Sequence, residues 1–376
     1  MRLFLTSIII FLSLVGPTHA DQLTLEISGT TVELEGEILI EAEDKSLYFR
    51  QNTGKIWFVQ PEQIRNKVDD DSEVKPISKK DLGKQLLKEL PRGFRTYETK
   101  HYVIAYQTGV DYARWIGGLY ESRLYHAFEK FWEKRKKFKL TDPQYPLVVI
   151  VFASRAQYQQ YVDRELGPGQ NMIAYYNIQS NRIAMFDLTA DQRNPNQPMN
   201  DRRIEEVLRN PAAVPMVATM IHEATHQLIF NRGMQTRFAE SPLWLNEGLA
   251  MFFEAPKLGS RRGWTAPGEI FEQRLIQFRK SLQNRPSDSL QTLISNDDRL
   301  REQTTALEAY AEAWALNHFL VNRRAKELVA YLTHLSRKKA LVEDSQEKRL
   351  AEFKQFFGDD LKALDAEFVK YILNLK

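Results

Sequence analysis

In IHEATHQLIFNRG, residues 221–233, two histidines stand four apart and a glutamate follows the first. On a helix, His222 and His226 lie one turn apart on a single face, so both imidazoles can reach one cation. Glu223 then sits beside that cation without being a ligand to it. The alternative is two surface histidines. Val217, Ala218, Ile221, Leu228 and Ile229 argue against it, because they predict a helix that is largely buried, where a histidine needs a partner. Punctuation brackets the helix: Asn210 and Pro211 suit its start and Gly233 its stop.

A third ligand has to come from a neighbouring helix, and SPLWLNEGLAMFFE, residues 241–254, supplies one. Ser241 and Pro242 predict a helix start. Glu247 is then set among Trp244, Leu245, Leu249 and Phe252, where a carboxylate must be paired or metal-bound. Glu254 is the rival ligand, expected at an exposed helix end.

HEATH followed by WLNEGLA resembles the gluzincin clan of zinc metallopeptidases, and WLNEGLA is close to the matching segment of that clan's zinc aminopeptidases. From about His101 to the C-terminus the order of elements is also similar to that of exported bacterial proteins with gluzincin-like domains. The resemblance implies that His222, His226 and Glu247 hold one Zn²⁺ and leave a fourth position for water. It implies Glu223 as general base, passing the water's proton to the leaving amine. In AYAEAWALNHFL the resemblance points to Tyr310 as oxyanion donor, with His318 as runner-up and core packing as the structural alternative for the tyrosine. The G-A-M-E-N segment with which those aminopeptidases read a free N-terminus is absent, so an endopeptidase acting on a peptide or protein is expected. The same residues would serve hydrolysis of a non-peptide amide, and a non-catalytic binding protein of the same fold is the other alternative.

The elements that must position these residues fall into two halves. Residues 23–59 alternate in short runs separated by SG, EDK and QNTG, which predicts a small antiparallel sheet or barrel-like module over residues 21–65. The polar stretch NKVDDDSEVKPISKKD predicts a linker over 66–80. Residues 81–376 then form the metallopeptidase-like domain. HYVIAYQ and YPLVVIVF are strand-like, with a helical stretch between them, and SRAQYQQYVDREL is a helix. MIAYYNI and NRIAMFDL predict a hairpin, the second strand being either an edge that could pair with an extended peptide or an ordinary sheet strand. Beyond residue 200 the pattern is helical, with Gly358 separating two amphipathic helices. The fold class is therefore α+β, a zincin-like mixed sheet plus helical half behind a β-module.

Composition narrows the partners. With 43% hydrophobic and 27% charged residues the chain is globular rather than disordered, and a net charge of +3 with dispersed basic residues implies no nucleic-acid partner. There is no cysteine, which removes disulfides, thiolate metal sites and cysteine nucleophiles. Residues 1–20 read as an export signal: Arg2, an apolar run from Leu3 to Val15, Gly16 and Pro17 as breakers, and a small-residue cleavage site at Ala20. That run is shorter than the ~20 residues of a spanning helix, so a periplasmic or extracellular protein is expected, without stable membrane insertion once the signal is cleaved. Tyr175 and Tyr176 are candidates for a substrate groove or for core. His101, His126 and His334 stand alone and are expected to be solvated or structural. EKRKKFK, residues 133–139, is expected to be a solvated helix end.

Overall fold

The computed structural model describes residues 19–190, 200–208, 210, 213–254 and 267–376, so residues 1–18 of the expected export segment lie outside it. Strands β1 (His19–Ile27), β2 (Thr30–Glu41), β3 (Leu47–Gln51), β4 (Ile56–Val59) and β5 (Ile64–Glu73) form one antiparallel sheet in the order β4-β3-β2-β1-β5. Ser28 and Gly29 both have positive φ (52° and 76°), the pair a two-residue turn requires to follow the strand twist between β1 and β2. Leu23, Leu25, Leu34, Leu47, Phe49 and Val59 bury one face. The sheet is open rather than barrel-like, with β4 and β5 at its edges.

The stretch expected to be a linker is largely structured. β5 runs through Glu73 paired with β1, and helix α1 (Lys79–Glu89) starts at once, capped by the Ser78 hydroxyl, which accepts from the Asp81 N–H at 3.1 Å. An edge strand is hydrogen-bonded on one side only, and charged side chains blunt its free side against association. Such a strand carries the composition of a linker.

The second sheet contains β6 (Arg95–Glu98), β7 (Tyr102–Tyr106), β8 (Leu147–Phe152), β9 (Ala174–Asn177) and β10 (Arg182–Phe186), in the order β6-β7-β8-β10-β9. β7, β8 and β10 are mutually parallel, and the two edges are antiparallel to their neighbours. Between β7 and β8 the chain forms α2 (Val110–Gly117) and α3 (His126–Glu129) within one long helix that widens into π turns and ends at Arg135. Helix α4 (Arg155–Leu166) follows β8. Helices cover both faces, which is why β8 is apolar throughout: Val148, Ile150 and Phe152 pack toward α1 and α4, while Leu147, Val149 and Val151 join the main core. The expected hairpin is present, but NRIAMFDL is not an edge. β10 lies between β8 and β9, and the free edge is β9.

The helical half comprises α5 (Asp201–Leu208), α6 (Val214–Asn231), α7 (Leu243–Glu254), α8 (Glu272–Ser281), α9 (Ser289–Ser295), α10 (Asp298–Arg301), α11 (Ala306–Arg323), α12 (Ala325–Leu335), α13 (Gln346–Phe357) and α14 (Leu361–Leu373). Gly358 (φ +95°) separates α13 from α14 as expected. α7 packs against both α6 and α11. Its approach to α11 needs Gly248, where a Cβ would lie 1.9 Å from Asn317 Nδ2 and 2.6 Å from the Ala313 carbonyl oxygen. Asn317 in turn donates to the Trp244 carbonyl at 3.0 Å, tying the two helices together. The basic run at 133–139 is not simply solvated, since Lys136 donates to the Val321 carbonyl at 2.6 Å near the C-terminal end of α11. Among the described residues no helix is long and apolar enough to cross a membrane.

Candidate metal centre

Helix α6 begins at Val214, later than Asn210 and Pro211 suggested: Ala213 is its cap, and the Asn210 carbonyl accepts from the Ala213 N–H in a turn ahead of it. It stops where expected, at Gly233 (φ +72°). Val217, Ala218, Met220, Ile221, Ala224, Leu228 and Ile229 are buried around it. Gln227 fastens it to the sheet, donating to the carbonyls of Val148 (3.1 Å) and Asn181 (3.0 Å). Helix α7 starts at Leu243, directly after Ser241 and Pro242 as expected; the Asp297 carboxylate accepts the Leu243 N–H at 3.2 Å, and the Ser241 hydroxyl bonds the Asn246 side chain.

The two helices bring His222, His226 and Glu247 together, with donor atoms all within 4.8 Å of one another. The His226 Nε2 lies 3.1 Å from the His222 Nε2, and the Glu247 carboxylate oxygens lie 3.2 Å from His222 and 3.6 Å from His226. Donors held at ~2.0–2.2 Å around a tetrahedral ion stand roughly 3.3 Å apart, so this triangle has the size a zinc site requires. The donor chemistry agrees, because two imidazole nitrogens and one carboxylate suit Zn²⁺ and leave a position open. Side-chain exposures of only 12–15% exclude the surface-histidine alternative.

Glu254 is not exposed, and it stands outside the His222–His226–Glu247 triangle. It is 5% accessible, and its Oε2 accepts from His222 Nδ1 at 2.6 Å. That bond commits Nδ1 to Glu254, so that Nε2, which faces Glu247 and His226, is the nitrogen that would be left to hold an ion. Glu254 lies seven residues beyond Glu247, two turns along the same helix face, and that spacing is the signal in the sequence for its role. Arg274 stands 4.0 Å from its other oxygen.

Glu223 faces the same space, and its Oε2 accepts from the Tyr176 backbone N–H on β9 at 2.7 Å. No spacing in the sequence points to this contact. Burial raises the Glu223 carboxyl to about 7, against the opposing pull of His222 and the Tyr176 N–H, with Glu247 and Glu254 adding to the rise. Burial alone would lower the pKa of His222, but the Glu254 and Glu247 carboxylates hold it well above the usual histidine range. Burial takes His226 down to about 4. Burial would raise Glu247, yet His226 and His222 hold it below the usual carboxylate value. The cluster thus gathers three carboxyl groups around two imidazoles in a largely buried space.

Tyr310, on α11, is half-buried beside the site. Burial raises its hydroxyl pKa, and the charges of Glu247 and Glu223 act on it in the same direction. His318, the runner-up, is a core residue: 4% accessible, packed by Phe252, Trp314 and Tyr371, with Nδ1 bonded to the Tyr371 hydroxyl at 3.0 Å. His101 stacks on Tyr125 and binds Glu121 at 2.7 Å, His126 is exposed, and His334 sits beside Glu352, so none joins the centre. Tyr175 is buried and donates to Glu165, whereas Tyr176 stacks on Phe230 and contributes its backbone to the site.

Residues 216–342, about a third of the chain, match a family described as a protein of unknown function (DUF1570). The match spans His222, Glu223, His226, Glu247, Glu254 and Tyr310. No curated protein matches the chain.

Proposed function

We propose that this protein is an exported zinc-dependent peptidase, acting within chains rather than at their N-termini, as the resemblance to gluzincins implies. The observation that carries the proposal is the closed triangle of His222, His226 and Glu247 with Glu223 beside it. His222, His226 and Glu247 would hold the ion, and Glu254 would fix the tautomer and direction of His222. Bound there, zinc would acidify a water and polarise the scissile carbonyl.

The chain's own groups supply the rest. The Tyr176 N–H holds one Glu223 oxygen and leaves the other to take the proton of the attacking water, which it then passes to the leaving nitrogen. A carboxyl poised near neutrality can do both. Tyr310, kept protonated by burial, would donate to the oxyanion. Along β9, Ala174 points its backbone groups the same way as Tyr176 and would pair with an extended substrate at this free edge. The apolar leader of residues 1–20 is the ground for proposing export.

The test is elemental analysis of the chain from Asp21 to Lys376 beside His226→Ala, Glu247→Ala and Glu223→Gln, with cleavage of a quenched-peptide library by the same samples. The proposal expects about one zinc per chain, lost in the first two variants and kept in the third, whose cleavage falls by about 10²–10⁴-fold. Wild-type protein that takes up no zinc after reconstitution would sink the metal site. Zinc without turnover of any peptide would sink the peptidase reading.

A further inference from the structure

A cavity of about 450 Å³ lies between the N-terminal sheet and the C-terminal end of α6. Its size falls in the range that small-molecule sites occupy. Ile40, Tyr48, Phe230 and Val342 supply apolar wall, and the charged lining consists of Arg50, Arg237 and Lys339 with Glu41 and Asp142. Arg50 is already neutralised by Glu37 at 2.5 Å.

Arg237, half-buried, is unlike the arginines set deeper in the fold. Arg182 pairs with Glu89, Arg232 approaches Glu129 and Glu133, Arg285 pairs with Glu312 and Asp365, and Arg349 with Asp297. Arg237 has only two neutral partners among the described residues, the carbonyls of Ile178 (3.1 Å) and Gly54 (2.7 Å). Burial with no carboxylate to offset it pulls its pKa below the usual arginine value. A guanidinium carries five N–H donors, and these two carbonyls use only two of them on a side chain that lines the cavity. A half-buried cation without a counter-charge among the described residues favours an anion beside it, and its fork geometry matches a carboxylate.

We propose that this cavity is a second ligand site, distinct from the metal centre, that binds a small monoanionic carboxylate with an apolar body, the carboxylate on Arg237 and the body against Tyr48, Phe230 and Val342. A single charge suits it, because Glu41 and Asp142 also face the cavity and would oppose a dianion. The proposal does not depend on peptidase activity.

Isothermal titration of the chain from Asp21 to Lys376 with octanoate, octanamide and octyl phosphate tests it. Octanoate is expected to bind at one per chain, and octanamide about tenfold more weakly or worse, since one charge-assisted pair is lost. Arg237→Gln should lower octanoate affinity by a similar factor. Because Arg237 also holds Gly54 and Ile178, a second variant is needed: Val342→Trp, in a partly exposed wall residue, should abolish octanoate binding while thermal midpoint and zinc content stay at wild-type values. Equal binding of acid and amide, tighter binding of the phosphate, no octanoate binding, or unchanged affinity in Val342→Trp would each overturn the assignment.

Discussion

Two groups of buried carboxylates lie close together in the helical half and are treated in opposite ways. Glu312, 2% accessible on α11, has both oxygens satisfied by protein: Arg285 at 2.7 Å on one, Arg299 at 2.7 Å on the other, and Ser289 on both. Two residues earlier on the same helix, Tyr310 lies near Glu247 and Glu223, and among the described residues the arginine that approaches this group is Arg274, 4.0 Å from Glu254. Among the described residues, three acids and two imidazoles converge without a guanidinium in hydrogen-bond contact. The difference separates structural from ligand-binding charge: a fold that can place two arginines on one buried acid has left another set to be neutralised from outside.

Breaking the structural cluster should have the largest effect on stability. Glu312→Ala leaves Arg299 without a carboxylate and Arg285 with Asp365 alone, and is expected to lower unfolding free energy by about 3 kcal/mol in denaturant titrations, with zinc content of the folded fraction unchanged. Zinc loss in that variant would mean the two clusters are one unit.

His318 tests the core between them. Burial depresses its pKa to about 4, below the unfolded value of ~6.5, so the unfolded chain takes up the proton first. Its stability contribution is then present above about pH 6.5 and is lost as pH falls toward 4, an effect of about 3 kcal/mol. His318→Phe should fall less steeply across that window; an identical slope would show that His318 is not a source of the acid sensitivity.

Gly248 links the helix carrying Glu247 to its support. Gly248→Ala forces a methyl against Asn317 and the Ala313 carbonyl and should cost about 1–3 kcal/mol, with weakened zinc binding as Glu247 shifts. Unchanged metal affinity would show that the ligand's position does not depend on this close approach. The smallest change is Glu254→Gln, which keeps the shape but removes the charge on His222; competition with a chelator should show a 10–100-fold loss of zinc affinity and no loss of fold.

Much of this site is legible in the chain itself. The spacing of His222 and His226, the burial of their helix, Gly233 as its stop and Glu247 on the next helix follow from the 3.6-residue period and from the cost of placing polar groups among apolar ones. The strands of both sheets other than β5 and the short β6 follow from alternation and apolar runs in the same way. β5 was hidden because an edge strand has no compositional mark that separates it from a linker. Which hairpin strand lies at the edge is equally silent, since strand order is a matter of which chains meet and not of local pattern.

What the sequence by itself determined is therefore local and periodic: which residues share a helix face, and which faces must be buried. Only the tertiary structure decided that Glu254 orients His222 instead of facing solvent, that the Tyr176 N–H holds Glu223, that His318 belongs to the core, and that Arg237 meets no carboxylate. These follow from elements distant in the chain meeting: α6 packed between β9 and α7, α11 against α7 and α14, and the N-terminal sheet seated on the β9–β10 hairpin. Spacing along one element constrains its own faces, but it carries no record of the partner that packing brings to them.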